Sequence, residues 1–298
     1  MLAGAVLALG AYVVAVLDVA AAGLVAGTGS RRVLAQPVRN VALLIRQEPT
    51  LTERPDRASW VLAPALYAGL AAAGISVVPW SRTFSIADVD TGIVLWGSIE
   101  ALVVVALFLH GWSANSHQPL LAAYRFVAVG LSYLLLSMFV LIAAAIPAES
   151  LQLSRIVESQ AGLWNVVRQP LGLPLFAVAA LGSTTWGPLN LAAGDDLSGG
   201  TTADVSGLPL LVWLGARAAM LTAFAAMGTA VFLGGWHGPL LPDPLWVVLK
   251  TVALLAALVA SGHLVARVRA ERFVTWCWMV LLPLGFADLA LAGLQALR

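Results

Sequence analysis

Charge is what this sequence has least of. Asp, Glu, Lys and Arg make up only 10% of its 298 residues, where a soluble globular domain carries about 25%. The 16 basic and 15 acidic residues almost cancel, leaving a formal +1, so there is no basic face for nucleic acid. Cysteine is nearly absent. The one residue, Cys277, supports neither an internal disulfide nor a cysteine cluster for zinc or iron–sulfur. The four histidines, His110, His117, His237 and His263, are scattered. No pair shares a predicted helix at haem-ligand depth, so neither metal nor haem is expected. GxxxxGK[ST], HExxH and CxxC are all missing. What the chain has is apolar surface: 60% of its residues are hydrophobic and the mean hydropathy is +0.92. So little charge cannot cover a water-facing surface, and lipid must cover much of it instead.

A membrane-spanning helix needs about 20 mostly apolar residues. Eight stretches qualify: 2–26, 60–79, 91–110, 121–146, 170–188, 207–233, 244–264 and 273–294. No regular strand-period alternation appears, so a barrel is not expected. The expected fold is therefore an all-α polytopic membrane protein of eight transmembrane helices, forming one membrane domain over 1–298. The fifth stretch, interrupted by Pro170, Pro174 and Gly187-Pro188, is expected to be short or broken. The first starts without a basic leader and without a clean cleavage site, so it is read as a retained helix.

Basic residues set the orientation. Placing 27–59 in the cytoplasm puts Arg31, Arg32, Arg39, Arg46, Arg54, Arg57, Arg125, Arg267, Arg269 and Arg272 on that side. Arg82, Arg155, Arg168 and Arg298 remain on the other. Both termini then face away from the cytoplasm. Tryptophans 60, 80, 112, 164, 236 and 246 fall near the predicted interfaces, as an aromatic belt would place them.

Two connections carry helical patterning. Residues 35–47 repeat apolar positions at Val38, Val41, Ala42, Leu44 and Ile45, the pattern of a short amphipathic helix in the interface or docked on the bundle. Residues 148–168 read as a second such helix, with Ser150 or Ser154 as cap. Residues 192–207, rich in Gly, Thr and Asp, are expected to be irregular and are where mobility is expected.

Asp18, Glu100, Arg217, Lys250 and Asp288 fall within spans, where charge is costly and faces the protein interior or a cavity. Two readings stand. They could form a proton or ion path. Alternatively they are structural: Glu100 pairs with Arg217, Lys250 snorkels to the outer interface, and Asp18 and Asp288 lie near water.

The order of short motifs resembles a known family, the membrane-embedded H subunits of proton-pumping NADH–quinone oxidoreductase, with the relatives that anchor membrane-bound nickel–iron hydrogenases. The resemblance runs along nearly the whole chain. Gln36-Pro37 through Arg46 to Glu48-Pro49, then Asp56-Arg57 with Val61-Leu62-Ala63-Pro64, look like the family's stretch after its first helix. Gly111-Trp112-Ser113-Ala114-Asn115-Ser116 with Leu120-Leu121 and Arg125 is similar to its GWxSNSKY segment, and Leu131-Ser132-Tyr133 to the start of its ISYE. Residues 150–160, Gln169-Pro170-Leu171-Gly172, Phe232 to Trp236, Leu249-Lys250-Thr251 and Leu281 to Leu284 continue the match.

The departures are concentrated in acids. The ISYE glutamate falls at Leu134. The family's acidic stretch becomes Ala180 to Leu191 followed by a glycine-rich run, with Asp195, Asp196 and Asp204 the remaining acids. In the sixth span Gly215-Ala216-Arg217 stands where the family has AEYAN. Leu134, Gly182 and Ala216 cannot exchange a proton.

The resemblance implies a membrane subunit of a complex I-like respiratory oxidoreductase in the cell membrane. It would dock a soluble iron–sulfur redox arm on its cytoplasmic face, lie beside antiporter-like membrane subunits, and contribute to a quinone cavity. Iron–sulfur clusters are expected in those partners, and no cofactor is expected to be held by this chain alone. The missing acids imply altered proton coupling. A scaffold subunit of a related hydrogenase, without standard quinone chemistry, and an independent ion transporter are the alternatives. The positions carried over as cavity or docking candidates are Arg57, Asn115, Arg125, Tyr133, Gln169, Arg267 and Arg269. For Arg57, interface anchoring or pairing with Glu53 or Asp56 is the structural alternative.

Overall fold

The computed structural model describes residues 1–27, 33–50 and 52–297, and of Asp195 only the backbone. Arg31, Arg32 and Arg298, part of the charge bias above, and the Asp195 side chain therefore lie outside the described residues. Within that range the regular elements are helices, joined by irregular connections, one of which holds an isolated β-bridge between Pro79 and Ser85. The long helices are α1 (Leu2–Val25), α3 (Arg57–Val77), α4 (Gly92–Ser113), α5 (His117–Ala145), α9 (Gly207–Phe232) and α10 (Asp243–Leu264), with a seventh formed by α11 (Ala270–Trp276), a widened π turn at Cys277–Leu281 and α12 (Leu282–Ala296). Shorter helices are α2 (Ala35–Arg46), α6 (Leu153–Glu158), α7 (Asn165–Arg168) and α8 (Gly172–Ser183).

Among the described residues seven helices are long and apolar enough to cross a membrane, where eight were expected. The difference is the fifth predicted span. Its helix, α8, has 12 residues and extends about 18 Å, short of the ~30 Å hydrocarbon core. Thr185 (φ 50°) and Gly187 (φ 57°) turn the backbone out of the helix, and Pro188 prevents its return. The other predicted spans match observed helices to within a few residues.

α9 forms the centre. Every residue from Ala216 to Phe232 is buried, and α1, α2, α3, α8 and α10 pack around it. Residues facing outward are apolar instead: Leu9, Val61, Val94, Leu131, Trp278 and Met279 are exposed. That inside-out surface suits lipid, where the polar backbone is satisfied within helices.

The local signals explain the helix ends. Asp56 caps α3, accepting from Ala58 N at 3.1 Å and from Ser59 Oγ at 2.8 Å, and these bonds hold its carboxyl below the usual range. α2 is amphipathic as expected and docks against α1 and α9. The 148–168 segment differs from expectation. It divides into α6 and α7 around Gly162, and no side chain caps α6. Ser154 bonds Asp88 instead, at 3.0 Å. The break places Gln160 and Asn165 to bond helix ends, described below. The 192–207 connection is irregular, with two single 3₁₀ turns. It is also packed: Ala192, Thr201 and Val205 are buried.

Loop contacts define two ends of the bundle. At one, Thr50 bonds Ser206, Thr52 donates to Ala114 O, Asn115 donates to Arg54 O, and Val268 N donates to Pro188 O. Arg39, Arg46, Arg54, Arg57, Arg125, Arg267, Arg269 and Arg272 gather here. At the opposite end lie Arg82, Arg155 and Arg168.

Candidate functional site

α8 stops inside the bundle, and its last carbonyls would be stranded there without partners. Three consecutive ones are met by side chains. Tyr67 Oη of α3 donates to Ser183 O at 3.1 Å. Arg217 of α9 donates through Nε to Thr184 O at 3.3 Å and through Nη2 to Thr185 O. A cation at a helix C-terminus also meets the negative end of the helix dipole. Arg217 lies about 15 Å along α9 from Gly207. Its partners are carbonyls and not Glu100, the pairing that the sequence allowed. Aromatic rings pack below: His110 stacks on Trp213 at 3.6 Å, and Tyr67 stacks on the same indole at 5.2 Å. Trp186 covers the guanidinium, with 5.7 Å to its ring centroid.

Trp186 also lines a groove of about 510 Å³ between α1, α2 and α9. Its walls are mostly apolar: Ala11, Val14 and Ala15 from α1, Val38, Val41 and Leu44 from α2, Leu211, Leu214, Gly215 and Ala218 from α9. The polar groups are few, chiefly Tyr12, Asp18 and Asn40. Tyr12 Oη donates to Leu34 O at 2.8 Å, tying α2 to α1. Asp18 pairs with His263 of α10 at 2.9 Å, so it is part-exposed and partnered. Size, apolar walls and sparse polar groups are those of a small-molecule site.

Glu100 is fully enclosed in α4. Its Oε1 accepts from Trp96 Nε1 at 2.5 Å and from Ser137 Oγ of α5 at 2.8 Å. Among the described residues its Oε2 has no partner.

The opposite end of the bundle holds the second buried cation. Lys250 Nζ donates to Leu233 O at 2.7 Å, Gly235 O at 3.0 Å and His237 O at 2.6 Å, the carbonyls just past α9. Trp164 closes over it at 4.1 Å. The lysine therefore turns inward to cap a helix and does not snorkel outward. Gly234 (φ 72°) and Gly235 (φ 46°) supply the turn that aims those carbonyls. Three amides complete the same plate: Gln160 Nε2 donates to Ala230 O, Asn165 Nδ2 to Val231 O, and Gln169 Nε2 to Ala143 O. His237 in this loop bonds Val157 O at 2.9 Å, and burial lowers its pKa. Asp288 is buried beside Gly172, its Oδ2 without a partner.

The residues carried over from the resemblance thus divide. Gln169 lies at the lysine end and secures a helix terminus. Tyr133 is buried mid-bundle with its ring on the Gly182 backbone. Arg57, Asn115, Arg125, Arg267 and Arg269 share the arginine-rich end. There Asn115 (φ 47°) bonds the 52–56 loop, Arg125 pairs with Asp196 at 2.5 Å, and Arg125, Arg267 and Arg269 line a pocket of about 300 Å³. Arg57 is exposed, and Asp56 acts as a cap and not as its ion pair. Tyr67, Trp186, Trp213 and Ser137 escaped sequence reasoning. Only the four-residue spacing of Trp96 and Glu100 offered a signal, since it puts both on one helix face.

Comparison with known proteins agrees with this architecture. A family model described as NADH dehydrogenase matches residues 5–293. An H subunit of NADH-quinone oxidoreductase from Rhodopseudomonas palustris, the first of its numbered forms, is 33% identical over 82% of this chain and 78% of its own length. The second H subunit from Cereibacter sphaeroides is 34% identical over 85% and 80%. The H subunit from Geobacillus kaustophilus is 30% identical over 89% and 81%. With a polytopic helical bundle and matches of this extent, the chain belongs to the family of NADH–quinone oxidoreductase H subunits.

Proposed function

We propose that this chain is the membrane subunit of a complex I-like oxidoreductase whose groove between α1, α2 and α9 receives the headgroup of a membrane quinone. The observation that carries the reading is that groove: about 510 Å³, apolar-walled, and lined by Trp186, whose ring centroid lies 5.7 Å from the buried Arg217 guanidinium. The residues fit such a ligand. Aliphatic walls suit an isoprenoid stem, Trp186 offers a face for the ring, and Tyr12 and Asn40 offer polar atoms. When bound, a quinone would supply two-electron acceptor chemistry. The chain's own part is to hold the ring, exclude water and impose the field of Arg217 on it.

On this reading the arginine-rich end faces the cytoplasm and both termini face away from it. The 27–59 connection, 187–206 and 264–272 dock a soluble iron–sulfur arm, with Arg57, Arg125, Arg267 and Arg269 as contacts. Antiporter-like subunits flank the bundle. α8 counts as the eighth traverse, half helix and half irregular chain, inside one membrane domain. Proton coupling is altered, since Leu134, Gly182 and Ala216 hold no proton and a guanidinium occupies the region. That last feature also favours the second reading, a scaffold in a related hydrogenase.

Affinity purification of the tagged chain from native membranes in mild detergent tests the proposal. The expected result is co-purification of iron–sulfur and antiporter-like subunits, with quinone extractable from the complex. A chain that purifies alone, free of quinone, would contradict it.

A further inference from the structure

Glu100 is left unexplained by docking and by the groove. Its carboxyl sits about 12 Å along α4 from Gly92, 2% exposed, and among the described residues no cation pairs with it. Trp96 and Ser137 both donate to Oε1. Oε2 receives nothing. An ionised carboxylate so placed would strand one oxygen in a low-dielectric interior. A neutral acid places its proton on that oxygen and keeps both bonds at the other.

Polar side chains also lie on the helices between Glu100 and the groove. Ser137 and Tyr133 lie one turn apart on the same face of α5, and Tyr133 Oη is buried without a partner. The Tyr133 ring lies on Gly182 of α8. The next three carbonyls, Ser183 to Thr185, are bonded by Tyr67 and Arg217, and Arg217 adjoins Trp186 at the groove. The other titratable groups in the buried stretches of the elements packed on α4 are Tyr67 of α3, Tyr133 of α5 and Arg217 of α9, with His110 on α4 itself. Nearer to Glu100, α3 and α9 present Gly74 and Phe224 to the Trp96 ring.

We infer that Glu100 is a proton-binding site of the membrane interior, exchanging its Oε2 proton with water along the Ser137–Tyr133 face when charge changes in the groove. The step is acid–base only. The Oε2–H bond breaks, the proton passes to water, and a proton from water restores it; no electron moves. The inference rests on the quinone reading for its trigger, and not for the exchange itself.

The test is infrared difference spectroscopy of the purified complex, quinone oxidised against reduced, in H₂O and D₂O, with turnover recorded alongside. A protonated-carboxyl band that responds to reduction and shifts in D₂O is expected. It should be lost in Glu100→Gln, displaced in Glu100→Asp, and displaced in Ser137→Ala, which removes a donor to Oε1 while keeping the acid. A complex that turns over, with carboxyl bands unchanged in Glu100→Gln, overturns the inference. If the wild type reduces no quinone, the groove reading fails. The D₂O shift of the Glu100 band then decides alone: its presence sustains the exchange, its absence overturns it.

Discussion

Among the described residues two cations, Arg217 and Lys250, lie buried in this bundle, and they are held differently. Lys250 spends all three N–H donors on carbonyls beyond α9 and is sealed by Trp164. Arg217 binds two carbonyls beyond α8 and contacts Trp186, which lines an open groove. Both answer the same need, since a helix ending inside a membrane protein leaves carbonyls that water cannot reach. A lysine that is fully bonded in a closed cage is a structural part. A guanidinium beside a ligand-sized groove also sets the field in that groove. Charge at membrane depth therefore does not by itself mark a pathway; the partners and the neighbouring space decide.

The comparison breaks most visibly at the lysine. Lys250→Met strands three carbonyls at once and should cost about 4 kcal/mol, read as a lowered thermal unfolding midpoint of the assembled complex. The quinone KM of what still assembles should not change. Arg217→Met should cost somewhat less stability, about 3 kcal/mol, and should also change the quinone KM, which separates the two sites. Arg217→Lys should restore only part, because the single ammonium nitrogen does not reproduce the two separate nitrogens that meet Thr184 O and Thr185 O.

Between the two cations, Gly182→Ala tests the close packing of α8 on α5. A methyl there would collide with the Tyr133 ring, costing about 1–3 kcal/mol, and Tyr133→Leu in the same chain should relieve it. The smallest effect belongs to the surface. Bonds to Ser59 and Ala58 depress the Asp56 pKa, so its capping contribution is complete above the ordinary carboxylate value and fades as pH falls through the lowered one. Acid should loosen the start of α3, measured as faster amide exchange there, and Asp56→Ala should remove that pH dependence.

Hydropathy made the long helices legible, because twenty apolar residues leave the backbone few alternatives in lipid. Seven of the eight expected spans are long helices among the described residues; at α8 a window of apolar residues conceals a short helix ended by Thr185 and Gly187. The amphipathic α2 was visible in its apolar spacing. The division of 148–168 was not, since it serves Gln160 and Asn165, whose partners, Ala230 and Val231, lie some seventy residues on. The buried charges were all named from the sequence, but their partners were not. Arg217 and Lys250 bind backbone carbonyls, and any residue can supply a carbonyl, so no side-chain pattern announces them. The groove was equally hidden, being made by α1, α2 and α9 coming together from distant parts of the chain.

The groove is where the account is most directly tested. Gly215 lines it, and a side chain added there meets open space, so Gly215→Leu fills the cavity without disturbing the packing. Quinone-reductase kinetics of the assembled complex carrying that substitution should show a KM raised about tenfold or more, equivalent to ~1.4 kcal/mol of lost binding, with assembly and thermal stability unchanged. An unaltered KM in a complex that assembles and turns over normally would place the quinone elsewhere and contradict the reading.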